Sequence, residues 1–179
     1  RDTDRSRGLG DVYKRQNIVE QAEKDGLRLS YHTPYRLNIH RDEFCKLAWQ
    51  TIQTVNPNIN LPELAQPFSD CDEDIVRQIA ALGIVTGYED GTFQPTRELS
   101  RQEAAVILQR LYTVLYGKIE ASPTLYADNG SIGVWAKNSV YAMRQTGIMQ
   151  GVGANRFDPK NGYTCEQALV TMLRMTQKA

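Results

Sequence analysis

The five residues Gly83-Ile84-Val85-Thr86-Gly87 return as Gly147-Ile148-Met149-Gln150-Gly151, and at the same offset of 64 Phe93 and Pro95 return as Phe157 and Pro159. Ser100 meets Thr164 and Arg110 meets Arg174 in that register. Several identities at one offset mark a repeated unit. An earlier, more divergent copy closes on Ile39-His40-Arg41-Asp42-Glu43-Phe44, which matches Leu99-Ser100-Arg101-Gln102-Glu103-Ala104 at an offset of 60. The chain therefore divides into units at 17–56, 68–116 and 126–179, of about 50 residues each. Units this small bury their apolar faces against one another rather than fold alone. Linkers fall at 56–67, which holds three of the seven prolines, and at 117–123.

Each unit reads as helix, irregular loop, helix, which makes the fold all-α. In the second, Asp72, Glu73 and Asp74 put negative charge at a helix start, and Ile75, Ile79 and Leu82 form a stripe that ends at Gly83. The third repeats this with Ile132, Trp135, Ala136, Val140 and Met143, ending at Gly147. The loop from Gly87 to Pro95 contains Asp90-Gly91 between aromatic residues, the signature of a compact turn or short hairpin. Ser100 with Glu103, and Thr164 with Gln167, have capping-box spacing and open a second helix in each unit. Ala104, Ile107, Leu108, Leu111 and Leu115 then share one face, as do Ala168, Met172 and Met175.

Composition narrows the function classes. Lys+Arg 21 balance Asp+Glu 21, which removes the broad positive field that non-specific nucleic-acid binding needs. No run approaches the apolar length of a membrane span, so no membrane insertion is expected. Cys45, Cys71 and Cys165 are odd in number and far apart, so they read as small buried thiols rather than a disulfide framework or a zinc site. Residues 1–16 carry no apolar periodicity, and Asp11-Val12-Tyr13-Lys14-Arg15-Gln16 matches a translated sequencing-library end. That segment reads as disordered and non-native, and it is set apart from the fold. Without it the chain has 16 basic and 18 acidic residues.

Phe68-x-Asp70, Gly83-Ile84-Val85-x-Gly87-Tyr88-x-Asp90-Gly91-Thr92-Phe93-x-Pro95 and Leu99-Ser100-Arg101-x-Glu103 together resemble the S-layer homology (SLH) repeat. The third unit resembles it through Tyr126-x-Asp128, Trp135-Ala136, Gly147-Ile148-Met149-x-Gly151, Asn155-x-Phe157-x-Pro159 and Tyr163-Thr164. The first does so through Ala22-x-x-x-Gly26-Leu27 and Ile39-His40-Arg41-x-Glu43-Phe44, with the start of its opening helix missing. The resemblance implies a pseudo-threefold, mostly helical module. Its grooves hold secondary cell-wall polysaccharide, often acidic through pyruvate ketals, and so fasten surface proteins outside the cell to the bacterial wall. Ligand recognition in such repeats concentrates where a hydroxyl residue and an arginine open the second helix.

The candidate site follows from this. Ser100, Glu103, Thr164 and Gln167 are accounted for as caps. Arg41 and Arg101 stand at the first helical position, where a cation opposes the helix dipole, so helix stability gives no reason for them. Beside free helix amides a guanidinium would clamp a ketal carboxylate. Asp70 and Asp128 either cap helices or meet sugar hydroxyls, Trp135 is either core or a sugar platform, and Gly87 and Gly151 either ease the backbone or line the groove. Cys165 replaces arginine in the third unit, which leaves that groove degenerate. No paired carboxylates or activated nucleophile suggest an enzyme, and nothing calls for a metal or another cofactor. Placing Gly91 at the sixth position of a calcium loop puts Thr86, Tyr88 and Arg97 at ligand positions, which rejects that site. The competing readings are a module that docks protein or assembles into a surface lattice, and the anchor of a cell-wall enzyme or other cargo encoded upstream.

Overall fold

The computed structural model describes residues 16–30 and 34–178. Residues 1–15, the bulk of the segment set apart from the fold, and His32 lie outside that range; Gln16 already belongs to the first helix, α1, at 16–24. The other helices are α2 (Arg41–Val55), α3 (Asp74–Ala81), α4 (Arg101–Tyr116), α5 (Val134–Gln145) and α6 (Cys165–Thr176), with a 3-10 turn at Asn129–Ser131. Among the described residues there is no β-strand, only isolated bridges. The fold is all-α.

Both predicted capping boxes form. The Ser100 hydroxyl accepts from Glu103 N and the Thr164 hydroxyl from Gln167 N, with the return bond present in each case. α2 lacks such a cap at His40, and Glu43 accepts from Ser30 instead. α3 and α5 stop where Gly83 and Gly147 take φ of 73° and 76°, a left-handed turn that glycine makes without a steric cost.

The apolar stripes match the expected ones except at four residues. In α3 the fully buried pair is Val76 and Ile79, while Ile75 and Leu82 are half-buried at its edge. Leu115 is likewise half-buried, near the open end of α4. Trp135 leaves the core altogether at 60% exposure. It occupies the first turn of α5, and its indole lies against Gly133. The loop after Gly87 is a turn rather than a hairpin: Tyr88 N donates to Thr92 O, and Asp90 Oδ1 accepts from both the amide and the hydroxyl of Thr92.

Packing passes from unit to unit. α3 packs on α2, α5 packs on α4, and α2 also meets α6. The Thr176 hydroxyl at the end of α6 reaches Asp25 just after α1, which brings the last unit back to the first. At the centre a backbone ring joins all three. Ile39 N donates to Tyr163 O at 2.8 Å, Tyr163 N to Leu99 O at 2.8 Å, and Leu99 N to Ile39 O at 3.1 Å. All three residues are buried, so these bonds are shielded from competing water. The second helix of every unit starts beside this hub.

Candidate functional site

Each of those helix starts presents two amides to the neighbouring unit. Arg41 N and Asp42 N donate to Arg97 O and Pro95 O, Arg101 N and Gln102 N to Asn161 O and Pro159 O, and Cys165 N and Glu166 N to Leu37 O and Tyr35 O. The expectation of free N-terminal amides is therefore corrected. They are consumed by the closure of the ring, and in α4 and α6 the third amide goes to the cap hydroxyl.

The arginines are likewise built into the junctions. Arg41 is 8% exposed; its Nε donates to Phe93 O at 2.8 Å and its Nη2 to Thr86 O at 2.9 Å, with the guanidinium 4.4 Å from the Phe93 ring centroid. Arg101 is 4% exposed and repeats this on Phe157 O and Gln150 O, both at 2.9 Å, 5.0 Å from the Phe157 ring centroid. Burial pulls both guanidinium pKa values below the arginine norm, against the smaller pull of nearby anionic and phenolic groups. Helix stability indeed does not explain the arginines, but the junction does. Each reaches across and holds two carbonyls of the following unit.

The aspartates hold the same loops from the other side. Asp70 takes Phe93 N on Oδ1 at 2.7 Å and Gln94 N on Oδ2 at 2.8 Å; Asp128 takes Phe157 N at 2.9 Å and Asp158 N at 2.7 Å. Neither caps a helix with its side chain, although Asp128 stands at the start of the 3-10 turn. Each phenylalanine thus has its amide held by the aspartate of its own unit and its carbonyl by the arginine of the preceding one. Gln94 and Asp158 sit at φ of 56° and 59°, a conformation costly for side-chain-bearing residues that the carboxylates hold in place. The amide bonds lower the Asp70 pKa, and at Asp128 they outweigh a larger opposing effect of burial.

Gly87 and Gly151 are required by close approach. A Cβ at 87 would stand 2.6 Å from the Phe68 ring and 2.8 Å from Thr92 O, and one at 151 would stand 2.6 Å from Arg156 O.

These contacts leave a groove of about 570 Å³, lined mostly by unit three, with Arg101 from unit two and Arg36 from unit one. Of the sequence candidates it gathers Arg101, Gly151, Thr164 and Gln167, and adds Arg36 and Arg174. Nε and Nη2 of Arg101 are committed; Nη1 has no hydrogen bond among the described residues and is the donor left for the groove. Arg174 Nη1 donates to Ile148 O at 3.0 Å, and Arg36 is exposed. Three guanidinium groups against one carboxylate, Glu166, make the lining electropositive. The recurrence of Arg110 as Arg174 was a sequence signal for one of these residues; nothing in the sequence pointed to Arg36. Arg41, Asp70 and Gly87 converge instead on the loop at 86–94, and Trp135 joins neither group. Cys165 is 1% exposed, and burial pushes its thiol up to about 11.

The described residues thus form a ring of helix–loop–helix units with a cationic crevice beside its hub. Residues 69–105 and 130–164 match the S-layer homology domain, a domain known for cell-wall anchoring. Among similar proteins, an S-layer protein of Bacillus thuringiensis subsp. finitimus is 32% identical over 56% of this chain and 12% of its own length. An endoglucanase of Bacillus sp. (strain KSM-635) is 30% identical over 57% of this chain and 11% of its own, and exoglucanase XynX of Acetivibrio thermocellus is 32% identical over 54% and 9%. The chain thus spans only a small part of these relatives, and the enzymes among them match over the SLH region, not over a catalytic one. The family and these relatives associate the chain with the cell surface or wall. No helix among the described residues is long and apolar enough to cross a membrane.

Proposed function

We propose that the chain is a non-catalytic anchor that holds an acidic secondary cell-wall polysaccharide in the groove that unit three forms with Arg101 of unit two and Arg36 of unit one, with 17–56 as a third SLH unit that completes the ring. The observation that carries this reading is the convergence of Arg36, Arg101 and Arg174 on one open crevice. Planar guanidinium groups pair well with carboxylates, and a sugar polymer with spaced ketal carboxylates offers repeated weak contacts that add along the chain. Arg101 is fixed by its two carbonyls, so its remaining edge is presented without a further loss of side-chain entropy. Arg41 serves the first junction in the same structural way, and its part in binding is secondary in this reading. Cys165 supplies no charge to the junction between units three and one, and the cation on that side of the groove is Arg36. The relatives with glucanase names favour one further reading, that such an anchor is joined to a separate catalytic domain.

Arg36→Gln with Arg174→Gln tests the groove while sparing the buried arginines. Retention on purified cell walls should fall about tenfold or more, because a hydrogen bond to a charged group is worth about 1.5–3 kcal/mol, and helical circular dichroism should stay unchanged. Walls stripped of their pyruvate groups should bind the unaltered protein as weakly as intact walls bind the variant. Undiminished retention of the double variant would favour a module that recognises protein or lattice instead of glycan.

A further inference from the structure

A second recess, of about 380 Å³, shares Gln150 and Gly151 with the groove, so one loop forms a wall of each. Its remaining lining includes Tyr126, Arg144, Asn155 and Arg156. Arg144 is exposed, lies 4.6 Å from the centroid of the Tyr126 ring, and has no ion pair among the described residues. Arg156 has only loose pairings, 3.7 Å to Asp128 and 3.9 Å to Asp158, and Asp128 already accepts two backbone amides. The Tyr126 hydroxyl is out of contact with solvent and is the one buried side-chain polar atom among the described residues with no hydrogen-bond partner. Burial holds that phenol above its ordinary pKa against the opposing pull of the Arg144 guanidinium, so it stays protonated and is a donor at neutral pH. Asn155 already donates its amide to Leu125 O. The lining side chains are therefore dominated by donors, two of them cationic, with no carboxylate among them.

Nothing in the repeat requires this set. In the second unit the corresponding positions are Phe68, Ala80 and Thr92 in place of Tyr126, Arg144 and Arg156, and that unit builds the same aspartate–phenylalanine–arginine junction without them. The ring pair survives the exchange, Phe68 on Phe93 at 5.2 Å and Tyr126 on Phe157 at 5.5 Å between centroids. What unit three adds is charge and a hydroxyl at one recess.

We propose that this recess is a second anion site, one that takes the carboxylate of an acidic sugar substituent between Arg144 and Arg156, with Tyr126 as a positioning residue beneath Arg144. The choice of an acidic sugar rests on the glycan reading of the neighbouring groove, while the anion site itself rests on Arg144, Arg156 and Tyr126. If both hold, successive acidic substituents of one polymer would straddle the loop at Gln150 and Gly151.

The test is an NMR titration of the full chain with the pyruvate ketal of methyl glucoside and, in parallel, its neutral methyl ester, following the side-chain Nε–Hε of Arg144 and the amides of residues 150–156. The acid should shift these signals and the ester should not. Tyr126→Phe with Arg144→Ala installs the second unit's own residues, so the fold is retained, and it should weaken the acid's binding about tenfold. Arg36→Gln with Arg174→Gln should leave the response intact even where it abolishes wall binding, which separates this site from the groove. An ester that binds as well as the acid, a Tyr126→Phe/Arg144→Ala protein that titrates like the unaltered one, or a flat titration would overturn the proposal.

Discussion

Arg101 shows how a residue placed against local helix preference is explained only by what lies across the junction. Its guanidinium bond to Phe157 O is buried and that to Gln150 O partly so, and removing the donors leaves both acceptors without this partner. Arg101→Met keeps the aliphatic stem and should cost roughly 3 kcal/mol, read from urea unfolding, because each unsatisfied buried carbonyl carries a penalty of about 1–3 kcal/mol. Arg101→Lys should recover only part of that, since an ammonium cannot span both carbonyls in the plane a guanidinium uses. A variant as stable as the unaltered protein would mean that the junction does not depend on the arginine. Asp128 gives the complementary acid-side prediction. Its folded pKa lies below the unfolded value near ~3.9, so its stabilisation is complete above about pH 4 and disappears as pH falls through the lower folded value. Asp70 and Glu103 shift in the same direction. Urea midpoints measured from pH 5 downward should therefore drop, and Asp128→Asn should show a smaller drop from a lower starting midpoint.

At the scale of helices and loops, the parts visible in the sequence were those set by neighbours along the chain. Ser100 with Glu103 and Thr164 with Gln167 announced their helices because a cap is a contact over three residues, and both boxes form as expected. Gly83 and Gly147 announced the stops for the same reason. The roles of Asp70, Arg41 and Gly87 were hidden because their partners lie 23, 52 and 19 residues away and belong to backbone atoms or an aromatic face, which leave no pattern in a string. Trp135 was misplaced because an apolar stripe cannot tell the last core turn from an exposed first turn. Gly151→Ala tests this reading of the loop. Its Cβ would stand 2.6 Å from Arg156 O and 3.2 Å from the Tyr126 ring, so the loop must move, and overpacking of this kind costs about 1–3 kcal/mol. A lowered melting temperature is expected. Thr164→Val, which removes only the cap oxygen, should cost about 1 kcal/mol.

For the whole molecule, the decisive feature is that no unit owns its core. The central ring takes one residue from each, Ile39, Leu99 and Tyr163, and each bond has its donor and acceptor in different units. α3 is packed on the second helix of the preceding unit, and α5 likewise. Such a ring behaves unlike an open array of repeats, in which end units can fray while the rest persists. Loss of one member breaks two of the three central bonds and uncovers a helix face. The fragment 68–179 keeps both segments that match the SLH family and every residue of the groove except Arg36, yet it lacks α2 and the acceptor for Leu99 N. It should accordingly give a poorly dispersed amide spectrum and a broad, weakly cooperative urea transition, while the full chain unfolds in a single step. If the fragment instead showed native dispersion and a sharp transition, units two and three would form an independent pair and the first unit would be an attachment to it. In the closed ring, wall binding and folding are linked: a ligand that bridges units two and three must also raise the unfolding midpoint of unit one, by the same free energy at saturating polymer.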